Sequence, residues 1–221
     1  MQTLGVSDAP PPSESRLKSL FWPSIRSGSD VDYLSIQGYW VCTFVAVMTF
    51  ALGLLGVGMA RNGIQAVFLA LFATMMFLFF YLGGVGVREG SRFAAAVVFL
   101  FYGLDTAVAF LQMLSASGVA GPMVVPGSVV MILVKTAITV VLFCNLRATW
   151  IAAKWVPGAE EAALPPRRSE TFTDRFVDQW PRAIWSVLRI PYYVFAAAVS
   201  FLMFSGYLVI LFRALLLRAA R

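Results

Sequence analysis

Two charged residues lie inside otherwise apolar stretches, and they are the first candidates for chemistry. Asp105 stands in the middle of FLFYGLDTAVAFLQML, and Lys135 lies within SVVMILVKTAITVVLFCNLRATWIA. A carboxylate at the centre of a membrane helix costs about 2.5–3.5 kcal/mol on insertion scales. Such a group is expected to face the interior of a helix bundle and to have a partner. If the two stretches are antiparallel neighbours, Asp105 lies roughly 13 Å and Lys135 roughly 10 Å from the same surface, by helical rise. The lysine stem covers the difference. Tyr102 and Gln112 share the Asp105 face, and Thr139 sits one turn along from Lys135. A polar cluster of Asp105, Lys135, Tyr102, Gln112 and Thr139 follows. The reading preferred for it is an interhelical ion pair that fixes helix register. The alternatives are an ion or proton site in a transport path, a protonated Asp105, a Lys135 that reaches the surface, and a contact with a partner subunit.

Other chemistries find little in the residues. Asp105 is the single acid within any span, whereas an intramembrane aspartyl protease needs two carboxylates. The chain has no histidine, which removes imidazole as a haem ligand, metal ligand or general base. Its two cysteines, Cys42 and Cys144, support neither a zinc site nor a disulfide framework. YLGGVGVREG is glycine-rich but matches no phosphate-loop pattern, and it reads as a turn between spans. Gly53, Gly56 and Gly58 of the first span permit close helix approach. The expectation is therefore no catalytic residues, no metal, no cofactor and no enzymatic activity.

The elements that must position this cluster are transmembrane helices. Of 221 residues 60% are hydrophobic and 13% charged, with a mean hydropathy of +0.80. A soluble domain carries about 25% charge. No ionisable Asp, Glu, Lys or Arg falls between Asp32 and Arg61, between Arg61 and Arg88, or between Arg189 and Arg213. Each window exceeds the roughly 20 residues that cross a bilayer core as a helix. The fold class is all-α, a polytopic transmembrane bundle of about five spans: 38–59, 63–82, 93–114, 128–152 and 191–212. Residues 1–36 read as a polar, partly disordered cytoplasmic tail without the apolar core of a signal peptide. Residues 37–153 form the four-helix core and 154–190 a cytoplasmic connection. Residues 191–221 supply the last span and a basic tail.

Charge sets the expected orientation. Twelve of the 17 Lys and Arg fall on the side of the amino terminus, four on the other, and Lys135 within a span. The positive-inside rule then puts the amino terminus in the cytoplasm of a cell (inner or plasma) membrane, with the last helix crossing fully. Trp22, Trp40, Trp150, Trp155, Trp180 and Trp185 all fall near that boundary and are expected to anchor it. TFTDRFVDQWPRAIWSVLR reads as an amphipathic helix on the same surface. Phe172, Phe176 and Trp180 share one face and Asp174, Arg175 and Asp178 the other, and Pro181 ends or bends the helix. The net charge of +6 suits anionic lipid headgroups rather than nucleic acid, because the arginines flank apolar spans. The functional expectation is a non-enzymatic accessory or scaffold subunit of a membrane assembly, partnered by lipid and by other subunits or itself. The alternative is a small transporter or channel that uses Asp105 and Lys135.

Overall fold

The computed structural model describes residues 25, 28–120, 126–154 and 175–219, with side chains described at 25, 30–113, 129–154 and 175–206. Among the described residues five helices follow one another: α1 (Gly28–Gly58), α2 (Gly63–Arg88), α3 (Arg92–Ala120), α4 (Pro126–Ala152) and α5 (Trp180–Ala219). A π-helical turn, Arg175–Gln179, precedes the last. Each helix carries a stretch of 22 to 32 residues with a mean hydropathy of 1.7 to 2.3, enough to cross a membrane. Among the described residues there is no strand, so the expected all-α architecture with five apolar spans is the one observed. Trp22, Trp155, Thr171, Phe172 and Asp174 lie outside the described residues.

Three boundaries differ from the sequence reading, each for a physical reason. Helix α1 begins at Gly28, so residues 28–36 belong to it and not to a tail. Asp30 occupies its first turn, where a carboxylate opposes the helix dipole, and Leu34, Ser35 and Tyr39 are buried. Helix α2 runs on through the glycines to Arg88. Gly83, Gly84 and Gly86 are not a loose turn but the most tightly packed part of the helix. A Cβ on Gly84 would sit 2.7 Å from Cys42 Cβ, and one on Gly86 would sit 2.4 Å from the Trp185 ring and 2.6 Å from Ala94 Cβ. The turn comes later. Gly90 takes a left-handed φ of 70°, its N–H bonds Val87 O at 3.1 Å, and the Ser91 N–H bonds Gly86 O at 2.9 Å. This is a Schellman closure, which satisfies carbonyls that the helix end would leave bare.

The third difference lies before the last span. Arg175–Gln179 make one π-helical turn that buries Val177, and residues 180–190 are already the first turns of α5. Pro181 does not end a surface helix; it stands at the start of α5 directly after the π-helical turn, and the Val177 carbonyl one turn before it, which a proline N cannot serve, accepts from Arg88 Nε at 3.2 Å. Pro191 then lies inside α5 without dividing it. Trp185, expected at the interface, is instead buried, with Tyr192 and Tyr193 around it. Trp40, Trp150 and Trp180 are exposed.

The core occupies one half of the bundle. Buried side chains are Leu34 to Ala46 on α1, Ala73 to Arg88 on α2, Ala94 to Tyr102 on α3 and Leu142 to Thr149 on α4. On the last segment they run from Val177 to Val199. All of these lie toward the end that holds Arg88, Arg92 and Trp180. Beyond Ala46, Tyr102 and Val199, and before Ala73 and Leu142, no described residue is buried. At the packed end small residues let backbones close up, the geometry on which helix association in lipid relies.

Replacing Gly86 with Val should therefore destabilise the fold by about 1–3 kcal/mol, the usual cost of forcing extra methyls into a packed site. Gly58→Ala has nothing within 4 Å of the new Cβ and should leave stability unchanged or slightly higher. Unfolding by SDS titration in mixed micelles measures both, and equal midpoints would contradict the packing described.

Candidate functional site

Two ionic clusters stand out, at different depths. The first is built on Arg88, in the last turn of α2. Its Nη1 donates to Asp32 Oδ1 at 2.7 Å and to Ser35 Oγ at 2.7 Å, both on α1. Its Nε donates to Val177 O at 3.2 Å and its Nη2 to Asp178, both in the π-helical turn. The side chain is only 1% exposed. A guanidinium suits this position because its planar fork addresses several acceptors at once. Beside it, α4 supplies buried Asn145, whose Nδ2 donates to Leu34 O at 2.5 Å. Gly38 makes room: a Cβ there would lie 2.2 Å from Asn145 Nδ2. Four chain segments thus meet within one polar junction.

A cleft of about 450 Å³ opens next to the junction. Asp32, Ser35, Arg88, Glu89, Thr149 and Arg182 contribute to its lining, so both signs of charge face the same space.

The second cluster is the one read from the sequence. Lys135 Nζ donates to Asp105 Oδ2, joining α4 to α3. Thr139 Oγ1 donates to Lys135 O at 2.8 Å and lies 3.1 Å from Thr106 Oγ1. Tyr102 is buried one turn toward the packed end and meets Phe80 edge-on, with ring centroids 6.0 Å apart. Gln112 is exposed, two turns beyond Asp105. The structure brings Asp105, Lys135 and Thr139 together, with Tyr102 as the floor, and leaves Gln112 at the rim. Lys135 is 16% exposed and Asp105 43%. Val98, Asp105 and Gln112 recur every seven residues and so share a stripe of α3. That stripe is buried at Val98 and open at Asp105 and Gln112, because the bundle loosens between them.

Between the clusters lies a layer of rings. Phe79 and Phe101 are 4.7 Å apart by centroid, and Phe80 meets Phe101 at 5.7 Å.

Sequence reasoning found the second cluster and missed the first. Arg88 was counted only toward orientation, Asp178 was placed on the solvent face of a surface helix, and Asp32 and Ser35 were assigned to a tail. The available signal is that an arginine stands two residues after the cluster Gly83, Gly84 and Gly86, where a closely packed helix end would surround it.

Five apolar spans locked by a buried arginine at one end define an integral membrane protein. No family model matches the chain, and no curated protein or solved structure matches it either. Its role is therefore argued from these two clusters.

Removing one partner of a buried ion pair leaves the other charge uncompensated, at a cost of about 3–5 kcal/mol. Arg88→Met is expected to lower stability by that order in SDS titration. Arg88→Lys should recover only part of it, since an ammonium is a point donor and cannot span the same acceptors. A variant as stable as the parent would remove the junction from its structural role.

Proposed function

We propose that this chain is a non-enzymatic accessory or scaffold subunit of a membrane assembly. One observation carries the reading: among the described side chains the buried ones gather in one half of the bundle, and the mid-span ion pair stands outside that half with the carboxylate 43% exposed. Hydrocarbon is a poor environment for that carboxylate, and such groups are normally covered by protein or by a water-lined cavity. A neighbouring subunit supplies both the missing packing and the cover. The proposed orientation keeps the packed end, with the arginine junction, Lys154, Arg182 and Arg189, on the cytoplasmic side of a cell membrane. Those cations then meet anionic headgroups, and α5 crosses to the opposite face. Affinity purification of tagged chain from its own membrane in mild detergent should yield a stoichiometric complex larger than one 24.2 kDa chain in its micelle. A lone monomer would overturn the reading.

A second reading has its own support. A polar cleft at one end and an open ionic site at mid-span, divided by the Phe79, Phe80 and Phe101 rings, is the arrangement of a gated solute path, in which an apolar constriction separates two wet sites. Under this reading purified chain in liposomes conducts a cation or proton flux, and Asp105→Asn abolishes it. Absence of flux in the parent protein would end this alternative.

A further inference from the structure

The open half of α3 and α4 has a charge pattern that selects its own occupant. Asp105 and Lys135 stand side by side on antiparallel neighbours, at one depth, with opposite signs. On the same faces, Gln112 two turns along α3 and Met131 one turn along α4 are exposed. Thr136, also exposed, adds a hydroxyl to the same region. A two-fold axis along the membrane normal keeps depth unchanged and exchanges left for right. A surface holding a plus and a minus side by side is complementary to its own image under that operation. Isologous contacts of this kind are the commonest route to closed oligomers.

We propose that a second copy of this chain covers the Asp105–Lys135 pair, docked through the open half of α3 and α4 about such an axis. This rests on the assembly reading above and names the partner. Each Asp105 then meets the Lys135 of the other copy as well as its own, so that four charges alternate around a ring. The Asp105 carboxylate loses its exposed side, and Gln112 and Met131 meet the facing copy. A partner of different sequence needs its own matching charges at this depth; a second copy has them by construction. The packed halves stay apart from the contact, since their cores are already closed within each chain.

The test uses full-length protein in native membranes. Cys42 and Cys144 are buried and serve as an unreactive background. Gln112→Cys and Met131→Cys should each give a covalent homodimer with a short bis-maleimide. Val194→Cys, exposed on α5 in the packed half, should not. Charge is tested by exchange: a chain carrying both Asp105→Lys and Lys135→Asp keeps its internal pair and pairs with itself, but sets like charges against the parent chain. When parent and exchanged chains carry different tags and are co-expressed, like-with-like dimers should exceed mixed dimers by about tenfold or more, since like charges across an interface cost several kcal/mol. The exchanged homodimer shows at the same time that the variant folds. Mixed dimers in statistical proportion overturn the charge-paired contact. Recovery of another membrane protein with no self-cross-linking overturns the second copy while leaving the assembly reading intact. A monomer with no companion overturns both.

Discussion

The buried guanidinium of Arg88 constrains most of what surrounds it. A cation removed from water must be given acceptors, and the cost of leaving it without them is several kcal/mol. Here the acceptors come from two other segments, the first turns of α1 and the turn that enters α5. Satisfying one side chain therefore fixes where α1 begins, how α2 ends and how the chain approaches its last span. The neighbouring glycines make this geometry reachable. Gly84 and Gly86 let α1, α3 and α5 come within contact of the α2 backbone, and the Gly90 closure holds Arg88 in the final helical turn. Larger residues at those positions would move the acceptors out of reach.

The uneven packing follows from what drives association in lipid. Hydrocarbon is as apolar as leucine, so apolar area alone does not bring membrane helices together; close backbone approach and polar contacts do. Both are concentrated toward the Arg88 end, with Gly83, Gly84, Gly86, Ala94, Ala95, Ala148 and Ala196 among the tightly placed small residues; one further close approach, Gly53 against Ala73, lies near the middle of α2. The opposite half of α4, from Val129 to Val134, offers branched and long side chains instead, and nearly all of them are exposed. The same rule that closes one half leaves the other without a reason to close.

The membrane class, the five spans and the Asp105–Lys135 contact were legible because each depends on one strong local signal. Charge-free windows longer than a bilayer define spans, and a charge inside one demands a partner at equal depth. The arginine junction was not legible because its parts look ordinary in isolation. Asp32 and Arg88 flank spans, where charges are common, and Asp178 alternates with apolar residues as a surface helix would. Only the three-dimensional approach of segments 56 and 90 residues apart in sequence makes them one site. Trp185 was misplaced for a related reason. Tryptophan favours interfaces on average, but the hollow over Gly86 offers this ring more contact than the headgroup region does.

The two ionic clusters differ in a way that bears on the role of the chain. Around Arg88 the charges are enclosed by elements of the same chain, and the guanidinium is nearly inaccessible. Asp105 has its lysine, yet two-fifths of the side chain is uncovered. Pairing answers the charge but not the solvation: a carboxylate has about four lone-pair sites, and one ammonium serves only part of them. In water the remainder would be hydrated. Near the middle of a hydrocarbon layer they need protein donors or a wet cavity, and among the described residues only Lys135 and the nearby threonines stand at that depth. An incompletely solvated carboxylate on the loosely packed half is the observation from which the proposed assembly starts.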